Sequence, residues 1–153
     1  MKKYELLKDD TIEVAGKTLF RIRALKDFGS VEKGDIGGYV ESEENLSNFG
    51  NAWVEDNARI SGNVRISENA WISGNVWITG DACISSDRDY IIFKNNWSSG
   101  RYFVYTRSNK MWSVGCFCGT GDELIKKAYA DSEESGRKYE LYVNLVKELY
   151  RDE

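Results

Sequence analysis

Proton transfer, nucleophilic attack or metal binding needs titratable side chains brought together. This chain offers carboxylates and thiols for that purpose, and no imidazole: histidine is absent from its 153 residues. A neutral imidazole is the ordinary group for taking a proton near neutral pH or for holding zinc. The remaining candidates are Glu55, Asp56, Glu68, Asp81 and Cys83. The four acids fall where a six-residue pattern turns, and solvated acids are normal at corners. Cys116 and Cys118 are one residue apart, which on a strand puts both on one face. Three cysteines without metal-type spacing read as reduced, packed thiols. No GxGxxG, GxxxxGK(S/T), CxxC or GxSxG element occurs. Gly115-Cys-Phe-Cys-Gly-Thr-Gly121 could cradle a phosphate, but a strand end running into a helix cap explains it with less. The expectation is a non-enzyme with no catalytic residue, cofactor or metal ligand.

The elements that position these residues begin with a repeat. Residues 51–86 read NAWVED, NARISG, NVRISE, NAWISG, NVWITG, DACISS. One column is aliphatic: Val54, Ile60, Ile66, Ile72, Ile78, Ile84. Two residues earlier lies a small apolar column: Ala52, Ala58, Val64, Ala70, Val76, Ala82. Strand side chains alternate, so both columns share one face and the residue between them looks outward. That outward residue is Trp53, Arg59, Arg65, Trp71, Trp77 or Cys83. Asn or Asp opening each repeat, with Gly62, Gly74 and Gly80, supplies the corners. Short strands broken every six residues and burying one side predict a solenoid; β-branched residues and Gly-Asn steps argue against a helix.

This pattern resembles the hexapeptide-repeat family, the left-handed parallel β-helices in which three hexapeptides form one triangular coil. The resemblance implies a mainly β fold with a left-handed parallel β-helix over residues 36–86. If eighteen residues make a coil, Trp53 stacks with Trp71, Arg59 with Trp77, and Arg65 with Cys83. Trp53, Trp71, Trp77, Arg59 and Arg65 are therefore expected to form a protein interface, since exposed tryptophans in register mark contact surfaces. Enzymes of the family are mostly acyltransferases with a histidine base, and some are carbonic anhydrases with three histidine ligands. Both centres are missing from this sequence.

Residues 1–35 read as an N-terminal β cap, with short β-prone runs at 4–7, 11–14 and 18–25 separated by turns at 8–10 and 15–17. After residue 86 the period stops. Runs at 89–94, 101–106 and 111–117 predict a three-stranded antiparallel meander. Two helices follow, the first opened by the capping box Thr120-Gly-Asp-Glu123 and the second capped by Ser132. The second carries an apolar stripe of Tyr139, Tyr142, Val143, Val146, Leu149 and Tyr150. Residues 87–153 are thus expected to form a C-terminal α+β domain. Its basic residues Lys94, Arg101, Arg107 and Lys110 alternate with Tyr90, Trp97, Tyr102, Tyr105 and Trp112. That set would suit phosphates and stacked bases of a single strand, or ordinary aromatic core with charges on the other face.

RIRALKDFG, GDIGGYVE, WSVGCFCGTGDELI and KAYADSEESGRKYE resemble segments of hexapeptide-repeat proteins common in bacteriophages and prophages. Net charge is −4, unevenly spread: residues 31–86 hold three basic and nine acidic side chains, while 87–120 hold five basic and two acidic. An acidic repeat argues against a whole-surface nucleic-acid binder. Apolar runs are short, and Met1-Lys2-Lys3 is followed by Tyr-Glu, so the expectation is a soluble cytoplasmic protein with no membrane contact. The functional expectation is a non-enzymatic phage or prophage protein that forms a dimer or trimer and binds a host protein. An inhibitor of bacterial defence, such as an anti-CRISPR, would be an example. The rivals are an acyltransferase-like enzyme with a non-histidine base and a single-stranded nucleic-acid-binding module.

Overall fold

The computed structural model describes residues 2–151; Met1, Asp152 and Glu153, which the expected domain limits include, lie outside the described residues. The chain opens with a hairpin, β1 (Tyr4–Val14) and β2 (Lys17–Ala24), closed by Ala15 and Gly16 at φ +50° and +79°. Two successive positive φ values match the strand twist, as in the commonest two-residue hairpin turns. Lys8-Asp-Asp is not the expected turn: β1 runs through it, with an irregularity in pairing between Leu7 and Thr11. β2 pairs antiparallel with β3 (Ile36–Val40). The repeat then contributes six two-residue strands: β4 (Trp53–Val54), β5 (Arg59–Ile60), β6 (Arg65–Ile66), β7 (Trp71–Ile72), β8 (Trp77–Ile78) and β9 (Cys83–Ile84).

The expected left-handed parallel β-helix is corrected by how these strands associate. They sort into small sheets of five, two and two strands, with a separate sheet of four. The five-stranded sheet is mixed: β1, β2 and β3 are antiparallel neighbours, and β3, β5 and β8 are parallel. On the other faces β4 pairs with β7 and β6 with β9, and Leu46 adds an isolated parallel bridge to Ile66. The physical reason is local. A corner every six residues leaves two extended residues per repeat, and an antiparallel hairpin takes up the growing edge at β3. Over the described residues the molecule is mainly β, with four small sheets and two α-helices. Within the repeat the pairs are parallel and eighteen residues apart: Trp53 with Trp71, Arg59 with Trp77, Arg65 with Cys83.

Both inward columns are buried, from Ala52 and Val54 to Ala82 and Ile84. They form one apolar cluster with Tyr4, Ile22, Val40, Leu46 and Val104. The expected three-stranded meander is corrected to four antiparallel strands: β10 (Tyr90–Lys94), β11 (Tyr102–Thr106), β12 (Met111–Val114) and β13 (Phe117–Gly119). Gly115, at φ +57°, turns the third predicted run back on itself and makes the extra strand. Helices α1 (Gly121–Asp131) and α2 (Glu133–Leu149) follow as expected. Tyr139, Val143 and Val146 pack with Phe103, Tyr105, Trp112 and Leu124 in a second cluster. Leu149, expected in that stripe, is instead 58 % exposed. No helix among the described residues is long and apolar enough to cross a membrane.

Candidate interaction surface

The outward column of the repeat divides into three unlike faces. On the β4–β7 face, Trp53 is 1 % exposed and cannot meet a partner as it stands. The Phe28 ring lies edge-on to it at 5.4 Å, and Gly37 approaches its indole so closely that a Cβ there would lie 2.7 Å from it. Trp71 is half-buried; its indole N–H donates to Glu55 (3.0 Å), and its carbonyl accepts from the Tyr90 hydroxyl (2.6 Å). This column is thus largely used by the molecule's own N-terminal segment and by β10. Sequence order could not show it, because the covering Phe28 is remote along the chain and belongs to no repeat.

The β3–β5–β8 face is different. Register places Arg21, Tyr39, Arg59 and Trp77 side by side across four strands, alternating guanidinium and aromatic ring. The Arg21 guanidinium lies 4.2 Å from the Tyr39 ring centroid and donates to the carbonyls of Gly37 and Asp56 (both 2.9 Å) and to the Tyr39 hydroxyl (2.8 Å). Its donors are therefore largely used. Arg59 is exposed and has no ion pair among the described residues. Trp77 beside it is half-buried and donates its indole N–H to Ser61 (2.9 Å). Tyr39, Arg59, Ile12 and the corner amides of Asn57 and Asn75 line a hollow of about 260 Å³. A cation between an aromatic wall and neutral amides can hold a carboxylate and the apolar stem that carries it.

On the β6–β9 face, Arg65 and Cys83 are both exposed, with Glu44 3.9 Å from the guanidinium. The Cys83 backbone N–H donates to Ser108 (2.8 Å). Three of the four acids weighed for catalysis accept hydrogen bonds from an indole, a backbone N–H or a side-chain amide. Glu55 accepts from Trp71, Asp56 from the Gly74 N–H (3.1 Å), and Asp81 from the Asn109 amide (2.8 Å). Asp56 and Glu68 also adopt left-handed backbone, at φ +57° and +55°. The glycine-rich segment before α1 is filled by its own capping box. Thr120 accepts from the Glu123 N–H (3.2 Å), and the Glu123 carboxylate accepts from the Thr120 N–H (2.9 Å), which holds that carboxyl below its usual range.

The basic residues of the antiparallel sheet are split. Lys94 and Arg101 flank the β10–β11 connection, whereas Arg107 and Lys110 flank the β11–β12 connection at the opposite end. The five residues of β11 between them span roughly 16 Å at the usual strand rise. Arg107 sits 3.8 Å from Asp89 and faces the Tyr150 ring. Burial would raise the Asp89 carboxyl, but N–H groups of Ser85 and Ser86, the Ser85 hydroxyl and Arg107 outweigh it and hold the pKa low. Tyr105 and Trp112 are buried, and Trp97 packs against Phe103, Tyr139 and Tyr142. Of the aromatics proposed as a stacking platform, Trp97, Tyr105 and Trp112 pack into the core and Tyr90 is half-buried, while Tyr102 is exposed.

Sequence reasoning missed two features. Lys147 and Arg151, a helical turn apart, join Arg107 and Lys110 around a cleft floored by Tyr105, Val143 and Tyr150. Leu141, Leu145 and Leu149 stand exposed along α2 at 58 %, 46 % and 58 %. Their four-residue spacing was readable as a second apolar face, but the buried stripe of the same helix drew the stronger pattern. No protein-family model matches this chain, and no curated protein matches it.

Proposed function

We propose that this chain is a non-enzymatic, protein-binding component of phage or prophage origin, and that Arg59 and Trp77 on the mixed sheet receive an acidic segment of a host protein. The observation that carries the reading is Arg59: an exposed guanidinium without an ion pair among the described residues, set in register between Tyr39 and Trp77. An ion pair so placed gains the ring's electrostatic attraction and partial shelter from water. The six-residue repeats and the flanking segments support the phage lineage through their resemblance alone, and inhibition of a bacterial defence rests on the same ground. The non-catalytic part is supported by the corner duties of Glu55, Asp56 and Asp81, which leave those carboxylates committed to structure.

The test is affinity capture from a bacterial host lysate with wild-type protein, Arg59→Glu and the distal control Arg101→Glu. The reading expects a protein retained by the wild type and the control and lost by Arg59→Glu. Capture indifferent to Arg59→Glu, or turnover of an acyl-CoA that disappears in Cys83→Ala, would overturn it.

A further inference from the structure

Helix α2 is apolar on two sides. Gly136, Tyr139, Val143 and Val146 are buried against α1 and the four-stranded sheet. The strip of Leu141, Leu145 and Leu149 is centred about 140° around the helix from that stripe, taking 100° per residue, and faces outward. They do not stand alone. Trp97, Tyr142, Arg137 and Lys138 join Leu141 and Leu145 in one shallow groove beside the 95–100 loop. Three leucines in a row with an aromatic shoulder form a contiguous apolar strip of the kind that marks an interface.

Charge along the strip selects the occupant. Arg137 stands one turn before Leu141 and has no ion pair among the described residues. Glu148 stands near the other end, on the same flank, with Arg151, just past the end of the helix, 2.8 Å from its carboxylate. On that flank Arg137 is the cation beside the N-terminal end of the strip and Glu148 the carboxylate beside its C-terminal end, with Glu134 and Arg151 one turn further out. Laid parallel on a second α2, the strip would set Arg137 beside Arg137 and Glu148 beside Glu148. Laid antiparallel, it sets each Arg137 opposite the other copy's Glu148 and each Leu141 opposite the other copy's Leu145. Same-flank residues meet in antiparallel helix pairs, and a two-fold axis makes every contact twice.

We infer that α2 pairs antiparallel with α2 of a second copy through Leu141 and Leu145, with Leu149 level with the other copy's Arg137 and Arg137–Glu148 ion pairs on the flank, giving a two-fold dimer. This surface is separate from Arg59 and Trp77, so loss of the dimer and loss of host-protein capture are independent results.

The test is sedimentation velocity of the whole chain from about 1 µM to about 200 µM, with circular dichroism to confirm folding. The wild type is expected to shift from monomer to dimer over that range. Leu145→Glu, at an exposed position, is expected to remain a folded monomer throughout. Arg137→Glu should weaken the dimer roughly tenfold, and Arg137→Glu with Glu148→Arg should restore it, because reversing both charges recreates the pair. A wild type monomeric throughout, a dimer indifferent to Leu145→Glu, or a double reversal no tighter than the single one would overturn the proposal. So would a host protein captured by monomeric wild type and released by Leu145→Glu, since that would give the strip to another partner.

Discussion

Two buried polar side chains close the edge where the repeats begin. The Lys3 ammonium donates to the carbonyls of Ala52 (2.7 Å) and Gly50 (3.5 Å) and faces the Phe28 ring. Asn45 donates to the carbonyls of Gly62 and Val64 and accepts from the N–H groups of Glu41 and Ser42. Each supplies side-chain donors to backbone carbonyls at the first edge of the parallel pairs. Asn45→Asp keeps the shape but removes both donors, so it should cost about 2–4 kcal/mol in urea unfolding. Lys3 has a pH signature as well. Burial, helped by the Lys26 charge, lowers its pKa from 10.5 to about 8. Between those values the unfolded chain holds a proton that the folded chain has released, so stability rises with pH. Tyr4 next to it acts oppositely: burial and the Glu43 charge raise its hydroxyl above the usual 10.0, so the unfolded chain loses that proton first and stability falls above about pH 10. The urea midpoint should therefore climb from pH 8 toward 10 and then drop. In Lys3→Met the climb should vanish while the drop remains; an unchanged climb would assign it to another group.

Among the elements, β3 is the joint between two ways of pairing. It runs antiparallel to β2 on one side and parallel to β5 on the other. Its Gly37 and Gly38 let the backbone come down onto the repeat. A Cβ at Gly38 would sit 2.6 Å from the Ala58 carbonyl oxygen and 2.8 Å from Val54, and one at Gly37 would sit 2.5 Å from the Val54 carbonyl oxygen. A carbonyl in a hydrogen-bonded rung cannot step aside as a side-chain tip can. Gly38→Ala should thus destabilise by about 2 kcal/mol or more, against the modest gain that alanine usually brings over glycine in a strand. Thermal melting would check it, and an unchanged midpoint would mean that β3 can shift. The inward columns and both helix caps were legible in the sequence, because those patterns are local: alternation over two residues, corners every six, a cap three residues from its partner. What covers what was not local. Phe28 reaches Trp53, and Tyr90 reaches the Trp71 carbonyl, through folding back of segments whose own periodicity says nothing of their destination. The mixed sheet was illegible for the same reason, since an edge accepts either a parallel or an antiparallel neighbour until a hairpin arrives.

Taken as a whole, the molecule has two apolar clusters, and the question is whether they fold as one. Val104 of β11 is fully buried and belongs to the repeat's cluster, while its neighbours Phe103 and Tyr105 belong to the other. Strand alternation makes this possible: one sheet faces the repeat with one set of side chains and the helices with the next. Polar contacts follow the same seam. The Ser113 hydroxyl accepts from the Thr79 N–H (3.5 Å), the Ser108 hydroxyl from the Cys83 N–H (2.8 Å), and the Asp89 carboxylate from the N–H groups of Ser85 and Ser86. The far edge of the repeat is thus closed by groups from the sheet, as the near edge is closed by Lys3 and Asn45. A repeat stripped of the sheet would expose both its apolar interior and unpaired backbone, so neither unit should persist without the other. The expected outcome is a single cooperative urea transition, with tryptophan fluorescence and far-ultraviolet dichroism coincident. Val104→Ala should lower it by about 2 kcal/mol while keeping the two probes together, because the lost methyl groups lie in the shared seam. If the probes separate in the wild type, or if Val104→Ala moves only one of them, the two clusters are independent folding units and the seam is only a contact.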